Sequence, residues 1–178
     1  MTVPGGLPLL FLDVDGPLIP FGPRTGGHPT FPAGPPPSGE AAADGAGANP
    51  LLARIDPSLG PRLAALPCEL VWATTWTHEA NETVAPRLGL PELRVVDWPG
   101  PSDQEERDAR AGLHWKTRTL VGWAAGRAFA WADDEITGAD RIRVAAHHGE
   151  RALLHRVDPA RGLADADLRL LDAWLRTV

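Results

Sequence analysis

Cysteine is almost missing from this chain: Cys68 is the single one in 178 residues. One thiol cannot build a disulfide framework, so the sequence suits a reducing compartment. No activating partner stands near Cys68, which reads as a core thiol and not a nucleophile. Excess positive charge is missing too. A net charge of −6 works against non-specific adhesion to a nucleic acid backbone and leaves room only for a local basic patch. No apolar run approaches the roughly 20 residues of a membrane-spanning helix, and no basic region precedes the apolar residues 7–12, as a signal peptide would require. The expectation is a soluble, cytoplasmic protein with no membrane partner. No internal repeat is visible, and 178 residues suit one domain, 1–178, with a real core.

What is present begins with Leu9-Leu10-Phe11-Leu12, which runs straight into Asp13-Val14-Asp15-Gly16. An unbroken apolar run ended by Gly and Pro reads as a strand buried on both faces, the parallel-sheet type. Ligands of open parallel sheets bind beyond the carboxyl ends of the strands. Residues two apart on an extended chain point the same way. Asp13 and Asp15 therefore converge where chemistry usually happens, and two such carboxylates repel unless a cation lies between them. Mg²⁺, which favours carboxylate, water and phosphate oxygens, is the simplest choice.

Composition changes sharply after this strand. Of the 34 residues from Pro17 to Pro50, 16 are Gly or Pro, too little apolar surface for a core element. The segment reads as a surface insertion that leaves the chain directly after Asp15, and long loops of this kind often act as lids. Phe21, His28 and Phe31 are its candidate anchoring residues.

Regular patterning then resumes. Residues 51–55 read as a short strand or a turn, and 58–66 as a short helix. Residues 69–73 are a second strand. A helix is expected over 77–88, with Thr77 as N-cap and Pro86 ending or kinking it. A third strand fits 93–96, and Ser102-Asp103-Gln104-Glu105 resembles a capping box. Residues 114–125 read as a helix, 128–132 and 152–157 as strands, and 165–176 as an amphipathic helix with Leu168, Leu171, Trp174 and Leu175 inward. Strands alternating with helices argue for a Rossmann-like three-layer α/β sandwich with a mainly parallel sheet and a Gly/Pro-rich flap or minimal cap.

Three of these strands end in reactive-looking residues: Asp13 and Asp15, then Thr74-Thr75, then Asp133-Asp134. Lys116 opens the helix before the last of them. Each alone is weak, because a Thr after a strand usually caps the next helix and an Asp pair in a loop is usually solvated. Their convergence at one edge of a sheet is the informative fact. Other residues take blander readings. His147-His148 fits a surface turn, His78 a solvated position and Glu135 a bystander, while Asp140 fits a loop. Trp76 is divided between packing and stacking on a base or sugar. The remaining tryptophans are read as packing residues.

This set of motifs resembles the haloacid dehalogenase superfamily of phosphohydrolases: an apolar strand with Asp13-Val14-Asp15-Gly16, a strand ending at Thr74, a helix-opening Lys116, and the Asp133-Asp134 pair. A narrower likeness lies in Trp72-Ala73-Thr74-Thr75-Trp76, Glu79-Ala80-Asn81, Gly89-Leu90-Pro91 and Trp131-Ala132-Asp133-Asp134-Glu135. These are similar to a compact bacterial subgroup related to the domain of that superfamily found in multidomain RNA-repair proteins. The resemblance implies a Mg²⁺-dependent phosphatase. In it Asp13 is the nucleophile that forms an aspartyl-phosphate, and Asp15 is the general acid and base. Thr74, or Thr75 if the strand ends one residue later, binds the phosphate together with Lys116 and Gly16, with Trp76 beside it. Asp13, the Asp15 main chain, Asp133 and Asp134 are the implied metal ligands. The implied substrate is a nucleic acid end or a small phosphorylated metabolite. A phosphotransferase, or a non-catalytic phosphate-binding module on the same fold, remains open as an alternative, as does the oligomeric state.

Overall fold

The computed structural model describes residues 6–32 and 49–178. Five strands form one all-parallel sheet: β1 Leu9–Leu12, β2 Glu69–Trp72, β3 Arg94–Val95, β4 Phe129–Asp133 and β5 Ala152–Arg156, in the spatial order β3-β2-β1-β4-β5. The helices are α1 Leu59–Ala64, α2 Ala85–Leu88, α3 Asp103–Arg110, α4 Thr117–Ala124, α5 Gly138–His148 and α6 Asp165–Leu175. This is a Rossmann-like three-layer α/β arrangement.

Strand parity sorts the core into two halves. Leu10, Leu12, Trp72, Ala130 and Ala132 pack on one side with Leu59 and Leu63 of α1, Leu88 of α2, and Leu168, Leu171 and Leu175 of α6. Leu9, Phe11, Val71, Phe129 and Trp131 pack on the other with Leu120 and Ala124 of α4 and Val144 of α5. β1, at the centre, is buried throughout, which is why its sequence shows no polar alternation. Among the described residues no helix is long and apolar enough to cross a membrane.

Five expectations change. Residues 51–55 are not a strand; Pro50–Arg54 form a 3₁₀ helix capped by the Asn49 side chain. The expected helix over 77–88 is shorter and irregular. Thr77 is no cap, its φ being +49°. A π-helical turn, Ala80–Val84, leads into α2, and the Ala85 amide donates to the Ala80 carbonyl. Proline at 86 has no amide to offer a carbonyl of the preceding turn, and the wider turn stands immediately before it. Helix α5 arises where a loop was expected. Its apolar periodicity is thin, with Ile142 exposed outward and Val144 buried inward, but a Thr137–Asp140 capping box starts it. Finally, the Gly/Pro-rich stretch does not begin as a loose insertion. Leu18 and Ile19 are buried, and their amides donate to the Val14 carbonyl at 3.0 and 2.9 Å.

His147 and His148 close α5 instead of forming a surface turn. The His148 ring stands edge-on to Phe129 at 4.9 Å, and neither ring nitrogen has a partner. Burial, then Arg151 and His147, hold its pKa below the ordinary histidine value. A depressed histidine pKa means the folded state binds the proton less readily than the unfolded chain. Its stability contribution is therefore intact above about pH 6.5 and is lost as pH falls below that. In urea titrations at pH 7.5 and 5.5, His148→Leu should lose less stability on acidification than the native chain. An equal loss in both refutes the assignment.

Candidate active site

The strand parity that builds the core also builds the site. Asp13 follows Phe11 on the α4-side face of β1, and Asp133 follows Trp131 on the same face of β4. Leu12 and Ala132 are in register, and the Asp13 amide donates to the Ala132 carbonyl at 3.1 Å. The two carboxylates thus stand side by side at the strand ends. Lys116, immediately before α4, is delivered onto them by the helix that covers this face. Its Nζ donates to Asp13 Oδ2 at 2.7 Å and to Asp133 Oδ2 at 2.8 Å. Every other basic side chain besides histidine is an arginine; Lys116 is the one lysine in the chain.

All three groups are shielded from solvent: Asp13 is 6 % exposed, Lys116 2 % and Asp133 0 %. One ammonium cannot offset two buried anions. Burial, assisted by the Asp133 charge, accordingly pushes Asp13 up to about 7 despite Lys116. Burial works to lower the Lys116 pKa, but the attraction of both carboxylates outweighs it and holds the group above its ordinary value as an ammonium. Asp133 is fixed further by the Trp131 indole at 3.2 Å and by the Glu135 amide, which donates to Oδ1 at 2.9 Å. Asp134 is also raised, first by burial and then by Asp133. Its carbonyl accepts from Arg156 Nε at 2.8 Å.

Asp13, Asp133 and Asp134 each place a carboxylate oxygen within 4.8 Å of the others. Three such oxygens against one ammonium leave a surplus of negative charge, the donor set a hard cation such as Mg²⁺ selects. The residues present fit such a cation. The Asp15 side chain is not in this group. Its Oδ2 accepts from the Trp76 indole at 2.9 Å, though Asp15 and Asp13 line the same cleft. Gly16 has φ +85°, and a Cβ there would lie 2.6 Å from Asp134 Oδ1, so glycine is what lets the chain pass this carboxylate. The Gly16 amide is already engaged, donating to the Ile19 carbonyl at 3.1 Å.

The two threonines separate. Thr74 is fully buried; its hydroxyl accepts from the Trp76 amide at 3.3 Å and its carbonyl from the Trp98 indole at 2.9 Å. Thr75 is exposed and lines the cleft beyond Asp13. Trp76 is half-buried, packed on the core while its indole holds Asp15. Asn81 is structural, accepting from Trp72 Nε1 at 2.8 Å and the Leu93 amide at 2.9 Å and donating to the Leu93 carbonyl. His78 is exposed and apart from the cleft.

The cleft holds about 160 Å³ and is walled by Phe21, Trp115 and Glu135 as well as by the expected residues. Sequence patterning assigns Trp115 to packing and Glu135 to no role. The available signal was position: Trp115 precedes the single lysine, and Glu135 follows the acidic pair. His114 joins them. Its Nδ1 accepts from the Lys116 amide at 3.2 Å, so Nε2 carries the proton and donates to Glu135 Oε2 at 3.1 Å.

Asp140 is no loop residue but a fully buried carboxylate. It accepts from the His114 amide at 2.8 Å, the Thr117 hydroxyl at 2.6 Å, and the Thr137 amide and hydroxyl at 2.7 and 2.8 Å. One side chain therefore ties the start of α4, where Lys116 sits, to the start of α5. Asp140→Ala strands these donors and should cost roughly 2–3 kcal/mol, read as a lower urea midpoint. Asp140→Asn, which keeps an acceptor, should lose clearly less. No family model, no curated protein and no solved structure matches this chain.

Proposed function

We propose that this protein is a Mg²⁺-dependent phosphomonoester hydrolase of the haloacid dehalogenase type, working through an aspartyl-phosphate on Asp13. The observation that carries the reading is the contact of a single buried lysine with two carboxylates at the mouth of a parallel sheet. An Asp13 carboxylate oxygen attacks phosphorus, and the ester P–O bond breaks as Asp15 delivers a proton to the departing oxygen. Asp15 then takes a proton from water as that water attacks the phosphoryl group, which restores Asp13. The Trp76 indole occupies Oδ2 of Asp15 and leaves Oδ1 to carry the proton. Lys116 keeps Asp13 oriented and offsets charge at the phosphoryl group. Thr75, on the cleft, is better placed than the buried Thr74 to meet phosphate oxygens. Asp13, Asp133 and Asp134 would hold Mg²⁺, with the Asp15 main chain beside them. When bound, it supplies neutralisation of phosphate charge and alignment of the transferring group.

The segment 17–50 serves in this reading as a minimal cap. Its described parts are tied to the body: the Phe21 amide donates to the Pro159 carbonyl at 2.8 Å, Arg54 Nη1 to the Pro20 carbonyl at 2.9 Å, and the Phe31 amide to the Ala53 carbonyl at 2.6 Å. His28 bonds the Gly22 carbonyl at 2.9 Å, and Phe21 reaches the cleft. The rest of the expected flap, residues 33–48, lies outside the described residues.

The test is release of inorganic phosphate from p-nitrophenyl phosphate. Release is expected with Mg²⁺, to fall to background after EDTA and to return on adding Mg²⁺ back. No release with Mg²⁺ present from this ester or from a panel of phosphorylated metabolites would overturn the hydrolase.

A further inference from the structure

The cleft does not end at the carboxylates. Trp115 and Glu135 line it, and the same two residues also line a second groove, of about 420 Å³, together with Leu113 and Gly112. A phosphate held at Asp13 and Lys116 therefore has Trp115 and Glu135, the residues common to the two spaces, beside its organic part. Phe21, 41 % exposed, stands on the cleft and offers a second ring. Trp115 is half-buried and braced edge-on by Trp98 at 4.7 Å, so it is a fixed wall and not a swinging side chain.

Charge narrows the occupant. Among the described residues lining the cleft Lys116 is the one basic side chain, and it is spent on Asp13 and Asp133. The nearest guanidinium along α4, Arg118, is held by both oxygens of Asp108 at 2.7 and 2.8 Å. Glu135 lines both spaces, and Glu105 lines the groove. Among the described residues lining these spaces, a second phosphate would meet Glu135 and Glu105, and the one further base, His114, is bonded to Glu135. A flat ring carrying N–H donors would meet aromatic walls and carboxylate acceptors.

We propose that the space between Phe21 and Trp115, opening along Glu135, is a leaving-group subsite for a small phosphate monoester with a planar, donor-bearing aromatic group, of which a nucleoside monophosphate is the type. This rests on the hydrolase reading and sharpens it by setting the phosphorylated end of a nucleic acid strand aside. A strand would bring further phosphates to an acidic rim, and strand binding uses a basic groove.

The experiment compares adenosine 5′-monophosphate with ribose 5-phosphate, which share the sugar phosphate and differ in the base. The nucleotide should show a kcat/KM higher by about tenfold or more, the usual worth of one stacked base. Trp115→Ala should bring the ratio between the two substrates toward one, and Trp115→Phe should retain part of it. Phe21→Ser, at an exposed position, should lower the same ratio without risk to the fold. A ratio near one in the native chain overturns the subsite. So does a higher kcat/KM on a 5′-phosphorylated oligonucleotide than on the mononucleotide. The same pair is titrated against Asp13→Asn by tryptophan fluorescence. Tenfold tighter binding of the nucleotide upholds the subsite even where p-nitrophenyl phosphate and the metabolite panel show no hydrolysis, an outcome that removes only the hydrolase; equal binding refutes the subsite whatever the turnover.

Discussion

Asp13→Asn should abolish phosphate release, by at least about 10³-fold in kcat, while the protein stays folded with little change in stability. The loss follows from chemistry: an amide oxygen is a poor nucleophile, and removal of the attacking group typically costs several powers of ten. The retained stability follows from the ion arrangement. The native site buries two carboxylates around one ammonium, and burial already disfavours the Asp13 charge enough to push its pKa to about 7. Asparagine removes that anion and leaves a neutral pair of Lys116 with Asp133. One side-chain oxygen then serves in place of two, so either the Val14 amide, bonded at 2.8 Å, or Lys116 loses an acceptor, at about 1 kcal/mol. Relief of the excess charge opposes this. The melting temperature should stay within about 4 °C of the native value, since that is the shift about 1 kcal/mol gives a chain of this size. Activity near the native level would place the nucleophile elsewhere.

The parts that were legible in the sequence were those dictated by burial. β1, β2 and β4 announced themselves because both faces of each are covered, and unbroken apolar runs such as Leu9–Leu12 arise from little else. The nearness of two candidate residues followed, because carboxylates at the ends of neighbouring parallel strands with equal parity must meet, as Asp13 and Asp133 do. Helix α5 was illegible because just one face of it touches the core and its apolar residues are few. Asp140 is illegible for a related reason. A buried carboxylate and a solvated one look alike in sequence, and only the meeting of His114, Thr117 and Thr137 around it tells them apart. Trp115 showed the limit of composition: a tryptophan beside a core helix can pack or line a cleft, and the choice depends on a neighbouring loop whose path no local pattern sets.

Lys116→Met should cost both activity and stability. Methionine fills a similar volume but leaves Asp13 and Asp133 buried side by side with no cation. Breaking a buried ion pair from one end in this way costs roughly 3–5 kcal/mol, which for this length lowers the melting temperature by roughly 10 °C. Lys116→Arg should rescue neither property. The ammonium sits in a space 2 % exposed to solvent between acceptors at 2.7 and 2.8 Å, and a planar guanidinium is too broad to donate to both from the same point. The chain carries arginine at all other Lys/Arg positions and lysine at this one, as that geometry demands. The double variant separates charge from packing. If the cost is excess negative charge, Asp13→Asn introduced into Lys116→Met removes one of the two stranded anions and should recover part of the loss, a coupling of about 1–3 kcal/mol. If the cost were lost side-chain packing, the second substitution would recover nothing. Added Mg²⁺ gives the same comparison without further mutation. A cation drawn to Asp13, Asp133 and Asp134 stabilises by mass action, and it should raise the melting temperature of Lys116→Met more than that of the native chain, because the variant holds two buried carboxylates that no ammonium offsets. A native-like melting temperature in Lys116→Met, or equal Mg²⁺ shifts in both proteins, would show that the lysine does not organise these carboxylates.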